Sequence, residues 1–170
     1  MKVGSGFFKN NADKVAKELL GKILVVNGKK CKIVETEAYF GEEDNASWAS
    51  KGENKVSKMM NEEAGKILVY NVHMYKMLNF VANRKGSKNA VLIRAVEPLN
   101  FEGRCNGPGL LTLALGVDDS FHGKDVGKGI VLLDNEDYFD IIQCKRIGVR
   151  ENSLEPLRFY IKGNKHVSKK

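Results

Sequence analysis

The 170-residue chain is poor in the residues from which most chemical signatures are built. Its three cysteines, Cys31, Cys105 and Cys144, lie far apart and form no C-x-x-C pair, which excludes a disulfide framework and points to reduced thiols. His73, His122 and His166 have no ligand spacing, so no metal is expected. No apolar run approaches the roughly 20 residues of a membrane-spanning helix, and the opening "MKVGSGFFKNNADK" lacks the apolar core of a signal peptide. An intracellular protein with no membrane association is the expectation. There is no Pro/Ser-rich linker, no repeat and no low-complexity segment beyond the basic "KHVSKK", so one domain over residues 1–170 is expected.

Arginine is scarce too, at six of the 28 basic residues. In a chain that so favours lysine, a retained arginine marks a position needing a planar, permanently charged fork, which draws attention to Arg94, Arg146, Arg150 and Arg158. The net charge of +7 favours a polyanionic partner without specifying one.

Periodicity supplies the elements. Asn11 is expected to cap a helix running to about Leu20, with Val15, Ala16, Leu19 and Leu20 as its apolar stripe and Gly21 as its stop. "KILVVNGKKCKIVETEAYF" reads as two strands joined at Asn27-Gly28. Residues 41–63 read as a long surface loop holding one short helix, and loops of that length are often functional. "KILVYNVHMYKMLNFVA" and "AVLIRAVEPL" read as strands ending at Pro98. "NGPGLLTLALG" reads as a helix with a Gly-rich start whose free N–H groups suit an anion. "GIVLLDN", "FDIIQCKRIGV" and "LRFYIKG" complete the strands. The expected fold is α+β, one compact domain with a curved, mostly antiparallel sheet and flanking helices.

Within the second strand, simple alternation places Ile33, Glu35, Glu37 and Tyr39 on one face. Two readings of the acids stand open: solvated strand residues paired with Lys30 or Lys32 across the hairpin, or a pocket in which one acid is a general base. Arg94 is a charge in an apolar strand and needs an anionic partner, which either acid would supply. Tyr70, Tyr75 and Phe80 are either core or a surface on which a base stacks.

Taken together, "VETEAYFGEEDNAS", "LVYNVHMYKMLNFV", "VLIRAVEPL", "NGPG" and "LRFYIKGN" resemble the alkyladenine (3-methyladenine) DNA glycosylases of mammalian type, in order from about Phe7 to Ser168. The resemblance implies hydrolysis of the N-glycosidic bond of a damaged purine such as 3-methyladenine or hypoxanthine, with no cofactor and no lyase step. The expected partner is double-stranded DNA containing the lesion, met by a monomer. The nucleotide must be flipped out of the helix and its place filled by a wedge side chain. Glu37 matches the general base, Arg94 the arginine holding the attacking water, and the backbone carbonyl of Ile147 a third water contact. Tyr39 and Tyr70 match the stacking walls of the base pocket, and Asn79 the residue that rejects the 2-amino group of guanine. Glu35 has no catalytic counterpart.

Three departures stand out. Trp48 occupies the place of a pocket histidine. The wedge region is one residue shorter, leaving His73 or Met74 as the wedge in place of a tyrosine. Leu110 and Leu113 replace a usual lysine and glutamine, removing one phosphate contact. A damaged-nucleic-acid-binding protein without turnover on the same fold is the alternative function.

Overall fold

The computed structural model describes residues 1–150 and 152–170. Among the described residues eight strands form one curled antiparallel sheet: β1 (Ile23–Val26), β2 (Lys29–Tyr39), β3 (Ile67–Val72), β4 (Tyr75–Ala82), β5 (Asn89–Pro98), β6 (Ile130–Leu133), β7 (Ile141–Cys144) and β8 (Arg158–Ile161). The main order is β3-β4-β5-β2-β1-β6. The 11-residue β2 serves both β1, through Lys29 to Lys32, and β8, through Glu35 to Glu37. Three helices flank the sheet: α1 (Ala12–Leu19), α2 (Lys55–Met60) and α3 (Pro108–Leu115). Among the described residues no helix is long and apolar enough to cross a membrane.

The period-2 rule sorts the strands between two apolar layers. Ile67 and Val69 face the main core with α1 and α3, whereas Leu68 belongs to a smaller cluster with Val56 and Met60 of α2. Alternation fails in the middle of β2, where Ile33 pairs with Val96 but Glu35 already pairs with Ala95. Val34 is thus an inserted bulge residue, and the phase of the strand shifts there. Cys31 and Ile33 belong to the main core before the bulge, Val34 at it and Ala38 after it. The expectation that Ile33 shares a face with Glu35 and Glu37 is therefore corrected. Without the insertion, both acids would be in phase with the apolar core.

Helix α1 begins where expected, but Asn11 makes no side-chain cap. Its Oδ1 accepts from Asn83, and the Ala12 N–H donates instead to Asn89 Oδ1 at 3.2 Å. A cap can come from a residue 77 positions away, and local sequence does not reveal that. Residues 41–63 hold two helical pieces, a 3-10 turn at Trp48–Lys51 and α2 with an Asn54 capping box. Helix α3 lies so close to the β3–β4 hairpin that a Cβ on Gly109 would come within 2.6 Å of the Tyr75 ring. Thr112 Oγ1 also donates to the Lys76 carbonyl at 2.8 Å. The hairpin is braced from below, and its two-residue tip, His73-Met74, stands free.

Candidate active site

Both acids of "ETEAY" are fully buried. The solvated reading, with Lys30 or Lys32 as partners, is overturned: Lys32 pairs with Asp137, while Arg94 reaches across from β5 and bridges the two glutamates. Its Nε donates to Glu35 Oε1 and its Nη1 to Glu37 Oε1, each at 3.1 Å. The bridge follows from register. Glu35 pairs with Ala95 and Thr36 with Ile93, so Arg94 is itself a bulge residue, lying between its two partners.

Glu37 has two further donors. The Tyr39 hydroxyl reaches Oε1 at 3.0 Å and the Ile147 N–H reaches Oε2 at 2.7 Å. Burial raises the Glu37 pKa above the usual carboxylate range, opposed by the charge of Arg94 and by hydrogen bonds from Ile147, Tyr39 and Arg94. Burial, reinforced by the Glu37 charge, pushes the Tyr39 hydroxyl well above its ordinary value. The same two causes lift Tyr70 to about 12, so both phenols are neutral donors at physiological pH. Ile147 thus meets Glu37 through its amide N–H, a contact different in kind from the carbonyl contact expected from resemblance.

Above this acid opens a cleft of about 520 Å³ lined by Tyr39, Trp48, Tyr70, Asn79 and Ile147, among others. All four residues expected to form the base pocket are therefore brought together. Tyr70 lines the cleft while its back packs against the smaller apolar cluster, whereas Phe80 is fully core. Trp48 keeps 37% of its surface exposed and meets the Tyr70 ring edge-on at 6.0 Å between centroids. The Asn79 amide makes long contacts to Leu68 O at 3.5 Å and Met77 O at 3.4 Å and also acts on the Tyr70 hydroxyl as a hydrogen-bond partner. His73 and Met74 are not in the cleft; they form the hairpin tip, where Met74 is 82% exposed and His73 adopts a φ of 53°. On α3, Leu113 is 65% exposed, an apolar side chain in the place of the expected polar contact.

Sequence reasoning did not find what stands behind Tyr39. The Arg146 guanidinium lies 4.7 Å from the centre of its ring and is buried between two acids. Nη1 and Nη2 form a fork to Asp44 at 2.7 and 2.9 Å, and Nε donates to Glu155 at 3.0 Å. Nη1 also donates to the Ala38 carbonyl, next to Tyr39. The scarcity of arginine pointed to Arg146; nothing local pointed to Asp44 or Glu155. Among the described residues the only buried side-chain polar atom without a hydrogen-bond partner is Ser153 Oγ, so both acidic clusters are fully satisfied.

The family model described as "Methylpurine-DNA glycosylase (MPG)" matches residues 6–165. A protein of Legionella pneumophila strain Corby, named "Putative 3-methyladenine DNA glycosylase", is 42% identical over 96% of both chains. Proteins of the same name from Aeropyrum pernix and Clostridium novyi are each 40% identical, covering 96% of this chain and 91% and 96% of their own. With the family match covering nearly its whole length, the chain belongs to the methylpurine-DNA glycosylases, enzymes of DNA base-excision repair.

Proposed function

We propose that this protein hydrolyses the N-glycosidic bond of alkylated or deaminated purines, 3-methyladenine and hypoxanthine among them, with Glu37 as general base. It does so on a nucleotide turned out of the duplex, acting as a monomer and leaving an abasic site with no lyase step. The observation that carries this reading is a buried carboxylate, gripped by Arg94, Tyr39 and Ile147, beneath a cleft walled by Tyr39, Tyr70, Trp48 and Asn79.

The chemistry follows from charge. As the base departs, the sugar becomes oxocarbenium-like; a nearby carboxylate stabilises that charge while taking a proton from the attacking water. The raised pKa of Glu37 makes it a stronger base than an exposed glutamate, and the charge of Arg94 opposes that rise by favouring the ionised form. Glu37 Oε1 accepts from Arg94 and Tyr39, whereas among the described residues Oε2 accepts from Ile147 alone, so we assign the attacking water to the second acceptor position of Oε2.

Extrusion needs a wedge. His73 carries the left-handed backbone of the turn, while Met74 presents an unbranched apolar side chain to solvent, so Met74 is the better filler of the vacated stack. Asn79, which lines the cleft beside Tyr70, is the residue we assign to rejecting guanine through its exocyclic amine.

The test is single-turnover release of base from duplexes carrying hypoxanthine and from methylated genomic DNA, with Glu37→Gln in parallel. Release by wild type and loss in the variant is expected. Binding of damaged duplex by both proteins without release by either would replace this reading with that of a damage-binding protein.

A further inference from the structure

Glu35 has no assigned part in the reaction, yet it is as deeply buried as Glu37 and shares Arg94 with it. Its remaining partners come from β8 and the segment after it. Ser168 donates twice, through its N–H to Oε2 at 3.1 Å and through a short hydroxyl bond to Oε1. Arg158 Nη1 lies 3.6 Å from Oε2. Arg158 also donates to the carbonyls of Lys169, at 2.7 Å, and Lys145, at 2.9 Å. Two residues beyond Lys145, the Ile147 N–H returns to Glu37 Oε2. The contacts close a ring: Glu37, Arg94, Glu35, Arg158, Lys145 and back through Ile147.

We propose that Ser168 is a positioning residue for the reaction: by satisfying Glu35 it leaves the Nη1 edge of Arg94 to Glu37. A buried carboxylate deprived of donors draws the nearest guanidinium into a two-pronged pair, because a fork contact to one acid is stronger than a shared one. Glu35 is the nearer competitor for Arg94, since it already holds Nε. Loss of the Ser168 hydroxyl therefore turns Arg94 towards Glu35 and away from Glu37.

The charged and titratable groups around Glu37 are few. Glu35 and Tyr39 share its strand, Arg94 comes from β5, Tyr70 from β3, Arg158 from β8 and Cys144 from β7. Arg146 precedes Ile147 and faces Tyr39. Arg94 is the one cation bonded to Glu37, so a change in its share acts directly on the acid.

The inference rests on Glu37 as base, and its test separates the two. The pH profile of single-turnover excision is measured for wild type, Ser168→Ala and Ser168→Thr. Glu37 must be ionised to work; with Arg94 drawn away it is protonated more easily. The acidic limb of Ser168→Ala then moves to higher pH by roughly half a unit or more, and Ser168→Thr, which keeps a hydroxyl, restores it. An unchanged profile, or a rate reduced equally at all pH values with the limb in place, overturns the proposal. Should wild type release no base, the glycosylase reading fails on its own. The Glu37 carboxyl is then titrated by ¹³C NMR, its signal identified by loss in Glu37→Gln. An upward shift in Ser168→Ala sustains the positioning role and an unmoved midpoint removes it.

Discussion

The molecule holds two buried arginine clusters, and they divide the work between them. Around Arg146 the guanidinium faces two acids, Asp44 and Glu155, and its fork and Nε are all engaged. It joins the loop after β2 to the segment before β8, and nothing in it is open to the cleft. Around Arg94 the guanidinium also faces two acids, but it gives each a single contact, and one of those acids carries the Tyr39 hydroxyl that lines the cleft. A fully engaged cluster makes a support, whereas a divided one leaves a carboxylate with an acceptor position to spare. On the function proposed above, similar residue types serve as scaffold in one place and as chemistry in the other.

The widest separation between the clusters is expected from Glu37→Gln. It should lower single-turnover excision by roughly 10²–10⁴-fold while damaged duplex stays bound, because the proton acceptor is lost and the fold kept. Retained turnover in this variant would dissolve the distinction.

Arg146→Met should behave in the opposite way. It leaves Asp44 and Glu155 buried without their cation and should cost about 3–5 kcal/mol of stability, read by denaturant unfolding. A variant that unfolds normally would demote Arg146 from support to ornament.

A smaller effect tests the acid itself. Because the folded pKa of Glu37 is raised above its ordinary value of 4.5, its stability contribution is fully present below the unfolded value and is lost as pH rises through the folded one. Glu37→Gln should therefore melt higher than wild type at pH 8, with the gap closing as pH falls towards 4. A constant gap would mean that folding does not raise this pKa.

Smallest are the specificity changes. Met74→Ala should reduce the fluorescence of a base analogue placed opposite the lesion more than His73→Ala does, the reverse order making His73 the wedge. Trp48→His should alter the ratio of hypoxanthine to 3-methyladenine release by a few-fold, and an unaltered ratio would make the ring a bystander.

Much of this was legible in advance where the signal is local. Asn27-Gly28 marked its hairpin, Pro98 closed its strand, and the helix of "NGPGLLTLALG" runs from Pro108 to Leu115 as expected. Glu37, Arg94, Tyr39, Tyr70, Trp48 and Asn79 were named from motif resemblance, and the fold gathers them around one cleft and its floor. What escaped was long-range. The Val34 bulge depends on pairing with β5, Asn89 caps a helix from 77 residues away, and Ser168 reaches Glu35 across 133. Each is a contact whose partner no periodicity reveals. The short wedge turn was visible as a missing residue, but its left-handed step at His73 was not.

The cation behind Tyr39 bears on which lesions the cleft accepts. A positively charged purine stacked on that ring would be the second cation on one π-system, and Arg146 alone would weaken the attraction an electron-rich wall offers. Asp44 and Glu155 outweigh Arg146 by one formal charge, so the wall presents itself as neutral to slightly negative from behind. On the function proposed above, discrimination between charged and neutral bases is set in part by three side chains on the far side of the tyrosine, and selection can retune it there without altering the shape of the pocket.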